Sequence, residues 1–239
     1  MTKTGAYNKV VSINVDVQND FCPEGALAVT NGDLVVPPLN AVNRWVRAQN
    51  GEVIFTADWH PRQTAHFAEF GGPWPPHCIR HTAGAAFHDD LMVEDIDSIA
   101  RKGMGDIDDG YSGWFAQLDP GSPLRRSGEL LAGGGGITTP DVTRVGEAIL
   151  DRHMGRRTAV IIGGLATDYC VKATVLDALT SKAEAQTHGI YLGIYVVRDA
   201  IRAVDINKGD GEDAIAEMTA AGAVLLTSKE ILDGALQVA

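Results

Sequence analysis

Cys170, Asp16 and Lys102 are residues whose types could together make a nucleophile. A cysteine needs a base to take its proton and a cation to favour the charged states, and an acid and a lysine supply both. Taken singly each has a plainer use, since free cysteine is often buried and most Asp and Lys are solvated. A second group is denser. Asp58 and His60 stand two apart, His66 lies six further on, and His77 ends Trp74-Pro75-Pro76-His77. One carboxylate and three imidazoles suit zinc, manganese or ferrous iron rather than calcium or a thiolate-held cluster. Three of the seven histidines fall within eighteen positions beside an acid, which favours a metal site. His81 and His88 are nearby and are left out of the set. Structural clamps usually use cysteine and close the coordination shell, so this ion is expected to be more than a clamp.

Positioning these groups falls to strand ends. Thr158–Ile162 reads as a buried strand and Val171–Leu179 carries apolar residues at helical spacing, so Cys170 sits where a strand turns into a helix. Thr167 is the expected N-cap and Asp168 the first-turn acid, and the helix end is expected to favour a thiolate. Lys9–Val15 and Glu52–Ala57 predict strands that end at Asp16 and at Asp58-Trp59-His60. Ile96–Ala100 predicts a third, leading to Lys102. Pro37 to Gln49 predicts a helix with Leu39, Val42, Trp45 and Val46 on one face. Later come a helix opening at Thr139-Pro140-Asp141 and running to about Met154, a strand at Gly189–Val197, a helix at Asp210–Ala221, a strand at Ala223–Thr227 and a last helix capped by Ser228. Alternating strands and helices imply a three-layer, Rossmann-like α/β fold, a parallel sheet flanked by helices, with ligands outside the strands' carboxyl ends. Residues 103–138 read as an irregular excursion. It is expected to cover part of the pocket mouth, with Tyr111 or Trp114 in the wall and Gly133 to Gly136 outside.

The chain has 239 residues, 45% of them hydrophobic and 21% charged, and is expected to form one domain, 1–239. A formal net charge of −11 argues against nucleic acid or an anionic membrane as partner. No apolar run has transmembrane length and the first residues lack a signal-peptide core. Three cysteines, Cys22, Cys78 and Cys170, cannot all pair, so reduced thiols in the cytoplasm are expected.

Taken together, Asp16-Val-Gln-Asn-Asp-Phe21-Cys-Pro-Glu-Gly-Ala-Leu27, Asp58-Trp-His60, His66-Phe67, Trp74-Pro-Pro-His77-Cys78, Lys102-Gly103 and Gly164-Leu-Ala-Thr-Asp-Tyr-Cys170 resemble the nicotinamidases, also called pyrazinamidases, of the isochorismatase-like cysteine hydrolases. The resemblance covers residues 9–114 and 157 to about 227. It implies hydrolysis of nicotinamide, and of pyrazinamide, to the acid and ammonia through a cysteine thioester, feeding NAD recycling. By motif, Asp16 is the acid/base, Lys102 the electrostatic partner and Cys170 the nucleophile. Asp58, His60, His66 and His77 match the ligands of one divalent ion, zinc first, with iron or manganese as alternatives, and the ion is implied to orient the pyridine ring. A cis peptide before Ala166 and an oxyanion hole from the backbone N–H groups of Ala166 and Cys170 are implied too. Phe21 and Trp74 match the residues flanking the ring, and Tyr111 belongs to a segment displaced by a few residues. Phe115 to Gly136 has no counterpart. A homo-oligomer is left open.

Two other readings compete. One is a hydrolase of the same superfamily acting on a different amide or an enol ether; the four ligand residues argue against it. The other is a non-catalytic metal or thiol sensor, against which the intact Asp16, Lys102 and Cys170 argue.

Overall fold

The computed structural model describes residues 6–106, 110–125, 142–187 and 189–239. Their elements are β1 (Lys9–Val15), α1 (Val36–Ala48), β2 (Glu52–Asp58), β3 (Ser98–Lys102), β4 (Gln117–Leu118), α2 (Val145–Arg152), β5 (Arg157–Leu165), α3 (Lys172–Thr187), β6 (Tyr191–Arg202), α4 (Asp210–Ala220), β7 (Val224–Leu226) and α5 (Ser228–Glu230). Among the described residues one sheet forms, in the order β4-β3-β2-β1-β5-β6-β7, and only β4 runs antiparallel to its neighbour.

The strands are apolar along their length because both faces are covered, as parallel sheets require. In β1, Val11, Ile13 and Val15 pack with Val145 and Ile149 of α2, Val175 of α3 and Met218 of α4. Val10, with Phe55 of β2 and Ile161 of β5, packs with Leu39, Val42 and Val46 of α1 on the other face. Three layers result, as expected. Strand order reverses on either side of β1, with β2 on one flank and β5 on the other. The crevice at such a switch point is where open α/β sheets bind ligands.

Several boundaries differ from expectation. β3 is Ser98–Lys102, two residues later, so Lys102 closes the strand rather than following it. β6 continues to Arg202 past a register shift opposite Ile162–Gly164. Arg198 and Asp199 are therefore inside the strand, and the Asp199 carboxylate accepts from the Ser228 backbone N–H at 2.7 Å. Helix α2 starts at Val145 after an extended Arg144, and Thr139 to Asp141 lie outside the described residues. Thr227, not Ser228, caps the last helix, through a capping box with Glu230. The excursion is partly regular: Gly113–Phe115 makes a 3₁₀ turn and Gln117–Leu118 is β4. Trp114, Leu118 and Leu124 are buried there and anchor the segment to the core, while Phe115 is exposed. Gly133 to Gly136 lie outside the described residues. Among the described residues no helix is long and apolar enough to cross a membrane.

Candidate active site

The carboxyl ends of β1, β2, β3 and β5 supply the site. Asp58 and Lys102 are paired in register at the ends of β2 and β3. Asp16 follows β1 in the left-handed region (φ 49°), which Asp tolerates better than most residues. The Thr56 hydroxyl of β2 donates to Asp16 Oδ1 at 2.6 Å. At the end of β5, Gly164 takes φ 124°, and a Cβ there would lie 2.1 Å from the Val15 carbonyl oxygen, so only glycine lets β1 and β5 approach this closely. The Leu165–Ala166 peptide is cis. A single π turn, Thr167–Val171, then carries Cys170 into α3.

Lys102 Nζ is the hub. It lies 2.8 Å from Asp16 Oδ2, 2.5 Å from Asp58 Oδ1 and 3.5 Å from Cys170 Sγ, and all four residues are buried. The Asp16 contact is an ion pair without hydrogen-bond alignment, so Asp16 Oδ2 keeps an unused lone pair. One lysine cannot compensate two buried carboxylates equally. For Asp58, burial disfavours the charge, but Lys102 outweighs it and holds the carboxyl well below the usual range. For Asp16, burial dominates over Lys102, and the nearby Asp58 charge adds to it, so its pKa rises to about 6. Burial also opposes charge on Lys102, yet the two carboxylates keep it protonated well above the usual lysine range. Burial pushes the Cys170 thiol well up; Lys102 works against this, while Asp16 and Asp58 reinforce it. Burial first, and then the two carboxylates, work against the thiolate that the helix end was expected to favour.

The histidines form a second layer beside Asp58. His60, His66 and His77 are buried, and each offers a ring nitrogen within 4.8 Å of the others. His60 Nδ1 must carry its proton, because it donates to the Gly103 carbonyl at 2.9 Å. Its Nε2 therefore holds a lone pair, buried without a partner and 3.7 Å from Asp58 Oδ2. His77 is arranged likewise, Nδ1 donating to the Pro75 carbonyl at 2.7 Å. Gly103 (φ 62°) permits the close approach, since a Cβ would meet His60 Cε1 at 2.4 Å. Burial lowers His66 to about 4, helped by His60 and His77. It lowers His77 as well, by burial first. Three imidazoles whose ring nitrogens converge beside an ionised carboxylate are a donor set that fits a divalent cation. His81 packs on Trp59 and His88 Nδ1 accepts from the Asp90 N–H, so neither belongs to the set.

A narrow cavity of about 30 Å³, open to solvent, lies over these groups. Phe21, Trp74, Tyr111, Ala166 and Cys170 line it. Trp74 Nε1 donates to the Tyr111 hydroxyl at 3.0 Å. Trp114 is not in the wall; it is buried in the core, with Nε1 donating to Ser181 Oγ at 2.9 Å. Tyr169, Leu27 and Val204 line the cavity and were not anticipated. Tyr169 stands beside the nucleophile candidate in sequence, a signal that could have found it, whereas Val204 follows the unforeseen part of β6. Asp168 is the acid of the first turn, as expected, and its two oxygens also accept from the Val204 and Asp205 N–H groups, each at 2.9 Å. Thr167 makes no cap; Ala166 precedes the turn. Gln18 was missed too. Its amide accepts from the Asp58 N–H at 2.8 Å and donates to the Asp58 and Ala85 carbonyls, both at 2.9 Å, which fixes the backbone at Asp58.

Residues 10–107 match the isochorismatase domain family. The chain is 34% identical to the nicotinamidase of Escherichia coli K12 over 228 residues, 89% of this chain and 92% of that protein. The structure superposes on the pyrazinamidase of Pyrococcus horikoshii in complex with zinc with a TM-score of 0.68 at 30% identity, covering 92% of this chain and 99% of that one. An L. infantum protein in complex with nicotinate gives 0.69 at 30% identity, covering 93% and 94%.

Proposed function

This chain belongs to the nicotinamidases of the isochorismatase-like hydrolases, and from that premise we propose that it hydrolyses nicotinamide through a thioester on Cys170, with Asp58, His60, His66 and His77 as ligands of one divalent ion. The observation that carries the reading is Lys102 Nζ in contact with Asp16, Asp58 and Cys170 together, the last two lining an aromatic-walled cavity.

At rest the sulfur is a thiol and Asp16 is ionised above about pH 6. Asp16 Oδ2 takes the thiol proton as Sγ bonds to the amide carbon; Oδ1 is already occupied by Thr56. That transfer removes one of the two negative charges that hold the thiol up. It also leaves the developing thiolate beside Lys102, worth roughly 5 kcal/mol at 3.5 Å for an effective dielectric of about 20. The carbonyl oxygen becomes negative and accepts from the backbone N–H groups of Ala166 and Cys170, a contribution of about 10²–10³ in rate per donor. Asp16 then gives its proton to the amide nitrogen, the C–N bond breaks and ammonia leaves. Water attacks the thioester, Asp16 accepts a proton again and returns it to sulfur, and the pyridine carboxylic acid leaves and gives its proton to solvent. Lys102 stays charged throughout. When bound, the ion supplies a Lewis-acid point for the ring nitrogen, and zinc is favoured by the three nitrogen donors.

Ammonia release from nicotinamide, measured beside isochorismate, a carbamoylated amine and benzamide, tests the reading, with elemental analysis of the same sample. Cys170→Ala should cut turnover by more than about 10³-fold with the melting curve and metal content retained. Residual activity within tenfold of wild type would remove the thiol as nucleophile, and equal turnover of benzamide would remove the ring-orienting role.

A further inference from the structure

A second cavity opens at the other end of the sheet. It has a volume of about 150 Å³, is open to solvent, and lies where β5 and β6 begin. Arg157 and Tyr191 are the first residues of those strands and are register partners. The Arg157 guanidinium lies 5.8 Å from the ring centroid of Tyr7 and 5.9 Å from that of Tyr191. Tyr7 is held in place by its hydroxyl, 2.7 Å from that of Tyr195. Lys182 and Gln186, one turn apart on α3, face the same space.

Charge makes this cavity unusual. Among the described residues no carboxylate lines it. Arg157 Nε is buried with no acceptor, and among the described residues neither Arg157 nor Lys182 forms an ion pair. The chain has 31 acids against 20 lysines and arginines, so two uncompensated cations facing one cavity are not what its composition favours. A buried guanidinium N–H without an acceptor is costly, and cation-flanking tyrosine rings offer flat apolar faces.

We propose that this cavity binds a small planar anion of the aromatic carboxylate class, its carboxylate meeting Arg157 and Lys182 and its ring lying against the tyrosines. The two cations supply the charge complement, and the open wall of Tyr7 and Tyr191 supplies a surface that a bare inorganic anion would not use. The assignment stands on the cavity alone and does not depend on the chemistry at Cys170.

Calorimetric titration of the full chain with benzoate tests it, with neutral benzamide and inorganic phosphate as comparison probes. Benzoate should bind saturably and at least tenfold more tightly than either. Arg157→Gln should weaken benzoate binding at least tenfold, and Lys182→Gln severalfold, with nicotinamide turnover unchanged in both. Lys182 is half-buried on a helix, so that variant carries the test if Arg157→Gln fails to fold. Benzoate binding that survives both substitutions would locate it in the pocket over Cys170 and overturn the proposal. So would the absence of saturable binding, or phosphate binding as tight as benzoate.

Discussion

Asp16 is asked to be buried and charged at once. It needs burial to stand beside the sulfur, and the same burial lifts its pKa to about 6. Activity requires the ionised form, so kcat/KM should fall about tenfold per unit as pH drops below about 6. A limb at the ordinary carboxylate value near 4 would mean that another group is the base. Stability runs the other way. A carboxyl whose folded pKa is raised contributes stability below its unfolded pKa of about 3.8, and that contribution is lost as pH rises through about 6. Asp16→Asn should therefore lose nearly all turnover yet melt no lower than wild type at pH 8, with a gain on the order of 1–3 kcal/mol. Asn keeps an acceptor for Thr56 and tolerates the left-handed backbone, while Lys102 keeps Asp58. A large loss of stability at pH 8 would show that the Asp16 charge holds the fold. The reactive types were legible in the sequence because four strands deliver them at their ends. Their protonation was not, because it depends on which carboxylate lies nearer one lysine.

Elements explain what the sequence left out. The β6 residues 198–202 break the apolar run, with Arg198, Asp199 and Arg202 among them, so periodicity stops at Val197 while pairing with β5 resumes beyond the shift. Likewise β4 has only two residues, too few to carry a pattern, and Trp114 reads as a candidate for the pocket wall until Ser181 on α3 is placed beside it. Asp168 is the joint between the Cys170 turn and the end of β6. Its carboxylate satisfies two N–H groups and so sets Val204 in the cavity wall. Asp168→Ala should cost about 1–3 kcal/mol in denaturant unfolding, because two partly buried donors lose their acceptor. It should raise KM severalfold with a smaller change in kcat, since Val204 touches the ring site and not Cys170. Asp168→Asn, keeping one acceptor, should recover part of both. A kcat loss without a KM change would assign Asp168 to the chemistry instead.

At the scale of the whole molecule, one sheet separates two electrostatic environments. Its carboxyl ends carry the catalytic crevice at the switch point between β1 and β5, and its amino ends carry the Arg157 cavity. Beside the crevice mouth, Asp168, Asp210, Asp213 and Glu217 line a cleft in which Lys172 is the cation, 3.3 Å from Glu217. With a formal net charge of −11, the long-range field at that mouth is negative. The proposed substrate is neutral and the proposed product is an anion, so the field acts on one and not on the other. Raising the salt from about 20 mM to about 300 mM shortens the screening length from roughly 20 Å to roughly 6 Å. kcat/KM for nicotinamide should then change by less than about twofold, because a neutral molecule is not steered. Product inhibition by nicotinate should tighten about two- to fivefold over the same range, as the repulsion that speeds its departure is screened. Stopped assays with nicotinate added at each salt concentration measure both quantities. Equal salt sensitivity of the two would mean that the acidic mouth does not sort product from substrate.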